Sequence, residues 1–190
     1  YPPGFIFDVA GCCYFPYEKD DFMKLLGFLN SSISKIMLEF FSPTLNYEIE
    51  QIKKLPKYGF NEVDSCLIDK CIEISKRATF SKEISWDFLQ NELLWIKGQD
   101  PSTLQNTSIE KSYVMLQYYW KNKFFQLHNN EEELNRQFID IYGLQEELTP
   151  DVSLEDITIL KEETRIVKNE LVFNANEVFT QFISYAVGCM

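Results

Sequence analysis

The fold class is set by the stretch Ser108-Ile-Glu-Lys-Ser-Tyr-Val-Met-Leu-Gln-Tyr-Tyr-Trp-Lys-Asn-Lys-Phe-Phe-Gln-Leu-His-Asn-Asn-Glu-Glu-Glu-Leu-Asn-Arg-Gln-Phe-Ile-Asp-Ile-Tyr142. Its apolar residues recur every three or four positions, which predicts an amphipathic helix, and Gly143 is typical of the position just after a helix end. A continuous helix would be about 52 Å long. The polar run from His128 to Glu133 interrupts the stripe and resembles a capping box, so two helices are the alternative.

Further helices are predicted on both sides of this stretch. One begins at Asp20 and carries an apolar stripe that Pro43 ends. Another begins near Asn61 and Asp64, and its stripe is Val63, Leu67, Cys71, Ile74 and Ala78. A loop with short turns is predicted over residues 81–107, and a last helix from about Ala175.

Strands are expected in three short places. Residues 1–17 resemble two short strands around a turn, and the alternation from Thr44 to Ile52 favours a strand or an extended connector. Residues 157–160 form a short extended piece before a charged segment. The predicted fold class is therefore mainly α with a small β portion (α+β).

Composition and charge narrow the classes of function. The 190 residues are 45% hydrophobic and 25% charged with a net charge of −11, which fits a globular protein rather than a disordered or membrane chain. Residues 128–190 carry 4 basic and 13 acidic side chains, a balance of −9, so nucleic-acid contacts are expected earlier in the chain. The sequence has no signal peptide and no long apolar run, which predicts a cytoplasmic protein without a membrane partner.

Residues that could carry catalysis or bind metals are few. The five cysteines lack the spacing of a disulfide framework and are expected to be small buried residues: Cys12, Cys13, Cys66, Cys71 and Cys189. The single histidine, His128, is expected to face solvent. A hydrolase that uses it would need His128 buried beside an acid and a nucleophile. No Gly-x-Gly-x-x-Gly or Walker loop and no metal-ligand cluster occurs, so neither a cofactor nor a metal site is predicted.

Three stretches resemble one family, and they occur in that family's order. The first is Phe41-Ser-Pro-Thr-Leu-Asn-Tyr-Glu-Ile-Glu-Gln-Ile-Lys-Lys-Leu-Pro56, the second is Ser85-Trp-Asp-Phe88, and the third runs from Asn130 to Thr158 and is followed by Phe182-Ile-Ser-Tyr-Ala-Val-Gly-Cys-Met190. Together they are similar to the C-terminal part of the PglX-type adenine-specific DNA methyltransferases of bacteriophage-exclusion (BREX) defence systems. Departures from the family pattern include Glu50, which stands where the family usually has glycine.

This resemblance implies a non-catalytic C-terminal fragment of an enzyme that methylates the N6 atom of adenine in DNA. The catalytic loop and the binding site for S-adenosylmethionine would lie upstream of Tyr1. The fragment itself is therefore expected to hold no cofactor and to have no activity. Residues 1–58 would be the edge of the target-recognition region, and residues 59–190 a helical scaffold with a long helix, truncated at its C-terminal end.

Five residues are candidates for contact with double-stranded DNA. Thr44 and Asn46 have short polar groups that could reach phosphates or base edges, and Lys53, Lys54 and Lys57 could neutralise phosphates. The same residues could equally be turn-forming and solvated edge residues. The three tryptophans are expected to be mostly core. The rival function is an acidic protein-interaction module that docks other subunits of a defence complex without contacting DNA.

Overall fold

A computed structural model describes residues 19–41, 49–99 and 108–190, with side chains from Phe22 onward. Within these ranges the chain is mainly helical with one two-stranded antiparallel sheet, which confirms the predicted fold class. The helices are α1 (Lys19–Leu29), α2 (Ser32–Phe41), α3 (Ile49–Lys53), α4 (Ser65–Phe80), α5 (Glu92–Gly98), α6 (Ile109–Tyr142) and α7 (Ala175–Gly188), and the strands are β1 (Thr164–Val167) and β2 (Glu170–Phe173). The strands predicted over residues 1–17 lie outside the described residues.

Two compact units are present. The described part of the first consists of residues 19–41, 49–69 and 132–151, and that of the second of residues 70–99, 108–131 and 152–190. The functional boundary expected between residues 58 and 59 stays a prediction.

An aromatic cluster forms the core of the first unit. Phe28 and Phe138 are fully buried, with ring centroids 5.5 Å apart. The rings of Phe60 and Tyr142 lie 5.1 and 5.8 Å from that of Phe28. Offset and tilted rings at these separations stabilise a core beyond the burial of their area. The cluster joins α1 to the end of α6 and to the turn that precedes α4.

The prediction of one helix from Asp20 to Pro43 is wrong in one respect, because this stretch forms two helices. The side-chain amide of Asn30 donates to the Leu26 carbonyl at 2.8 Å, and the hydroxyl of Ser31 donates to the Phe28 carbonyl at 2.7 Å. Asn and Ser side chains that bond to nearby backbone compete with helical hydrogen bonds. The chain therefore turns at these two residues, and α2 begins immediately after them.

Helix α6 is continuous over 34 residues, which settles the choice between one helix and two. Leu127 and Leu134 are buried on either side of the polar run, so the apolar stripe continues across it. The helix ends as predicted: Gly143 has φ +66°, its N–H donates to Asp140, and the N–H of Leu144 donates to Ile139. This pair of hydrogen bonds is the Schellman motif.

The sheet of the second unit lies where the sequence predicted only a charged segment. Strands β1 and β2 pair from Thr164 with Phe173 to Val167 with Glu170. Lys168 and Asn169 connect them with φ of 50° and 64°, the conformation of a two-residue hairpin turn that asparagine tolerates. Residues 157–160, predicted to be extended, form no strand. Helix α7 begins at Ala175, as predicted.

Two other segments correct the sequence-based expectation. Residues 92–98, expected to be loop, form α5, which begins where the buried side chain of Asn91 accepts a hydrogen bond from the Leu93 N–H at 3.0 Å. Ile49–Lys53, expected to be strand or extended, forms the short helix α3, whereas residues 42–48 and 100–107 lie outside the described residues. Helix α4 is confirmed, with Asp64 accepting from the Cys66 N–H at its start.

Candidate nucleic-acid interface

The lysine segment, residues 49–58, contains three of the five predicted DNA-contacting residues. Lys53 is the last residue of α3, and Lys54 and Lys57 follow it with exposed side chains. Leu55, between them, is 4% exposed. A buried leucine flanked by exposed lysines fixes one side of the segment to the core and leaves the cationic side in water. Thr44 and Asn46 lie outside the described residues.

The end of α6 holds this segment in place within the first unit. The hydroxyl of Tyr142 donates to the Pro56 carbonyl, and the Tyr58 N–H donates to the Tyr142 oxygen at 3.5 Å. Burial raises the pKa of Tyr142, which keeps the hydroxyl protonated and able to donate. Gly59 then turns the chain with φ +67°. Because the backbone is anchored at residues 56–59, the lysines project from a fixed point.

An ion pair modifies the charge of the lysine segment. Nζ of Lys53 lies 2.7 Å from Oε1 of Glu50, and both side chains are well exposed. The hydrogen bond and the charge of Lys53, together with the charge of Lys54, lower the pKa of Glu50. Exposed pairs of this kind are weak and open readily to water or to another anion. A phosphate could therefore replace Glu50 as the partner of Lys53, at the cost of repulsion from Glu50.

A second cationic feature lies in the second unit, around Arg77. Its guanidinium carbon is 3.8 Å from the ring centroid of Trp95, and the guanidinium pairs with the carboxylate of Glu92. The indole N–H of Trp120 donates to the other oxygen of Glu92 at 3.0 Å. Burial raises the pKa of Glu92, whereas the charge of Arg77 opposes that rise. These contacts fix the guanidinium on the tryptophan face.

An open cavity of about 420 Å³ adjoins this cluster, and we call it the aromatic groove. Its walls come from α4, α5 and α6, and they combine apolar rings with Lys76, Arg77 and Lys123. Sequence reasoning missed it because Trp95 was assigned to a loop. The available signal was Arg77, which stands three residues after the core residue Ile74 and so lies at the edge of the buried stripe.

The described geometry does not supply the catalytic arrangement that a His128 hydrolase needs. His128, expected to face solvent, is half-buried, and its Nε2 lies 2.7 Å from the Val152 carbonyl oxygen. Burial, with the charge of Glu131 adding to it, raises the pKa of the Cys71 thiol to about 11. A nucleophilic cysteine requires the opposite shift. Burial likewise raises the pKa of Glu131 to about 7, which the charge of His128 partly offsets.

Other residues also differ from their predicted surroundings. Cys66 and Cys189 are exposed rather than buried. Trp86 is 90% exposed, whereas Trp120 is 2% exposed and belongs to the core as expected. Among the described residues, no group of three or more His, Cys, Asp or Glu side chains converges to hold a metal ion. Within the same residues, no helix has the length and apolarity that a membrane span requires.

The chain shares ancestry with adenine-specific methyltransferases, as the three motifs indicated. The adenine-specific methyltransferase PglX of Lacticaseibacillus casei (strain Zhang) is 35% identical over 191 residues, which cover 100% of this chain and 15% of the relative. The adenine-specific methyltransferase BrxX of Escherichia coli O9:H4 (strain HS) is 28% identical over 194 residues, 99% of this chain and 15% of the relative. No protein-family model matches. The chain is thus homologous to PglX and BrxX and spans 15% of their length.

Proposed function

We propose that the chain is a non-catalytic, C-terminal part of an adenine-specific DNA methyltransferase of a BREX-type phage-defence system, and that it contributes to target recognition and scaffolding. The observation that carries the proposal is the homology of the whole chain to 15% of the length of two such methyltransferases. The cofactor S-adenosylmethionine and the catalytic loop then belong to other parts of the longer protein, since the sequence contains no glycine-rich cofactor loop.

Duplex DNA is the proposed partner of the lysine segment. Lys53, Lys54 and Lys57 are exposed, and the backbone that carries them is anchored to α6 by Tyr142. Lysines on a fixed backbone can neutralise consecutive phosphates without a large loss of conformational freedom. Phosphate contacts position a protein on the duplex but do not read its sequence. The proposed contribution is therefore to hold the DNA, with Thr44 and Asn46 as the candidates for contacts with bases.

The experiment is a titration of a fluorescently labelled 20-base-pair duplex with the chain at low salt, followed by anisotropy. We expect measurable binding that weakens at least tenfold when Lys53, Lys54 and Lys57 are changed together to Glu. Lys35→Glu, which changes an exposed lysine of α2 in the same unit, alters the net charge as much as each single change in the lysine segment, so it should weaken binding less than Lys53→Glu, Lys54→Glu or Lys57→Glu alone. The chain alone should transfer no methyl group from S-adenosylmethionine to DNA.

A second candidate function, docking of other defence-complex subunits, is favoured by one specific observation. Ile84, Trp86 and Leu89 are 92%, 90% and 89% exposed, although all three are large and apolar. Exposed apolar side chains that form a contiguous patch are typical of protein-interaction surfaces, and these three lie within six residues of the chain. The two candidates separate in the same titration: an absence of duplex binding that persists at every salt concentration would favour the interaction module over the DNA contact.

A further inference from the structure

We propose that the aromatic groove of the second unit binds a nucleotide, a ligand that combines a planar ring with a phosphate. This site is separate from the lysine segment, and its ligand would be a single-stranded or free nucleotide rather than a duplex. The inference stands on the residues of the groove and does not depend on the proposed role of the lysine segment.

The walls of the groove provide surface for a planar ring. Phe80, at its edge, is 37% exposed, and Trp95 and Tyr119 are half-buried with ring centroids 5.1 Å apart. The guanidinium of Arg77 covers one face of Trp95, so the exposed ring edges, Phe80 and the guanidinium plane itself are the surfaces left for a ligand ring. Aromatic side chains beside an open cavity are the usual platforms for unpaired bases, because every base has a π-face. The cavity volume of about 420 Å³ lies within the range of small-molecule sites, which is about 300 to 1,000 Å³.

The charge of the groove favours an anion. Three cationic side chains line it, those of Lys76, Arg77 and Lys123, together with one anionic side chain, that of Glu73. Glu92, which pairs with Arg77, reduces this excess of positive charge to one net positive charge, in a chain whose net charge is −11. The Nζ of Lys123 donates to the exposed side-chain amide oxygen of Gln126 at 3.3 Å. A ligand phosphate could take the place of this weak contact.

Arg77 adds a preorganised donor group. Glu92 and Trp95 hold the guanidinium in one orientation, so the side chain loses little conformational freedom when a ligand binds. Its Nε is buried without a hydrogen-bond partner in the described structure. A guanidinium has five N–H donors, and one carboxylate does not satisfy all of them. An acidic peptide would use the cations but would leave the aromatic walls without a planar partner, so a nucleotide fits the combination better.

The test is a titration of the chain with an oligothymidylate of eight nucleotides, followed by the indole N–H resonances in two-dimensional NMR. We expect the Trp95 resonance to shift on titration. The double change Lys76→Glu and Lys123→Glu should weaken binding at least tenfold and reduce the slope of log K against log salt by about 1.4, or about 0.7 for each lost phosphate contact. The control, Lys111→Glu together with Lys121→Glu, makes the same change of charge at two exposed lysines of α6 that do not line the groove.

Three results would overturn the proposal. They are the absence of any shift of the Trp95 resonance at low salt, equal weakening by the control in which Lys111 and Lys121 are both changed to Glu, and equal displacement of the oligonucleotide by a glutamate peptide of the same charge. Thymidine 5′-monophosphate distinguishes the two sources of the ligand. If the monophosphate competes as well as the oligonucleotide does at the same concentration of nucleotide units, the groove binds free nucleotides. If it competes less well, the groove binds a strand. Changing Lys53, Lys54 and Lys57 to Glu should leave this binding unchanged, so a failure of the duplex proposal would be recognised separately.

Discussion

Of the glycines that the structure describes in the first unit, Gly59 is predicted to be the least tolerant of an added methyl group. At φ +67°, any residue with a Cβ is strained by about 1 to 2 kcal/mol. A Cβ there would also lie 2.4 Å from Cγ2 of Ile141, far inside van der Waals contact. Overpacking of this kind costs about 1 to 3 kcal/mol. Gly59→Ala should therefore lower the free energy of unfolding by about 2 to 5 kcal/mol.

Gly143 provides a matched control for the steric part of this cost. It has φ +66°, but a Cβ built on it meets nothing within 4 Å. Both glycines belong to the first unit, so urea unfolding followed by far-UV circular dichroism reports the same transition for both variants. Gly143→Ala should show only the conformational cost of about 1 to 2 kcal/mol.

A double variant then isolates the contact with Ile141. In an Ile141→Ala background Cγ2 is absent, so Gly59→Ala should cost about as much there as Gly143→Ala costs in the unchanged chain. The reasoning is refuted if Gly59→Ala and Gly143→Ala are equally destabilising, or if removing Cγ2 of Ile141 leaves the cost of Gly59→Ala unchanged.

Three further predictions concern the second unit. The folded-state pKa of Glu131 is raised from 4.5 to about 7, so the stability that this group contributes is complete below pH 4.5 and is lost as the pH rises through about 7. Glu131→Gln should therefore raise the stability at pH 8 by about 2 kcal/mol and change it little at pH 4.5, as measured by urea unfolding, whereas Glu170→Gln, at an exposed position, should change the stability little at either pH. The raised pKa of Cys71 predicts slow reaction with Ellman's reagent at pH 8, at least tenfold slower than that of exposed Cys66 as followed in single-cysteine variants. Asn91→Ala should lower thermal stability by about 1 kcal/mol through loss of the cap on α5, and a cost equal to that of an exposed Asn122→Ala would contradict this.

Long elements were predictable from the sequence because their apolar periodicity extends over many turns. The stripes of α4 and α6 and the glycine after Tyr142 indicated these helices without any tertiary information. The break between α1 and α2 was missed, because it depends on side chains of Asn30 and Ser31 that bond to the local backbone. Periodicity detects apolar residues and does not detect such competition.

Short elements were missed because their stability comes from distant partners. Helix α5 has seven residues, too few for a reliable periodic signal, and Glu92 in its first turn pairs with Arg77 of α4. Strands β1 and β2 have four residues each, and the local signal in the sequence that could have revealed their turn was Asn169, because asparagine tolerates the positive φ that such a turn requires.

The two candidate sites also differ in how far they could be predicted from the sequence. Exposed lysines after a segment predicted to be strand or extended could be found from the sequence, and the structure adds that Glu50 pairs with Lys53 and that Tyr142 anchors the backbone. Arg77 was a sequence signal for one wall of the aromatic groove, but the groove as a whole could not be found, because it joins residues of α4, α5 and α6 that are up to about fifty positions apart. A site of this kind depends on packing between elements, which no local pattern contains.

The central claim is that the lysine segment holds duplex DNA through its phosphates, and the salt dependence of duplex binding tests it most directly. Each phosphate contact contributes about 0.9 to the slope of log K against log salt. Changing Lys53, Lys54 and Lys57 to Glu should therefore make the slope shallower by about 2 to 3, with the lower value expected because Glu50 already competes for Lys53. An unchanged slope in this triple variant, with the fold intact by circular dichroism, would contradict the claim.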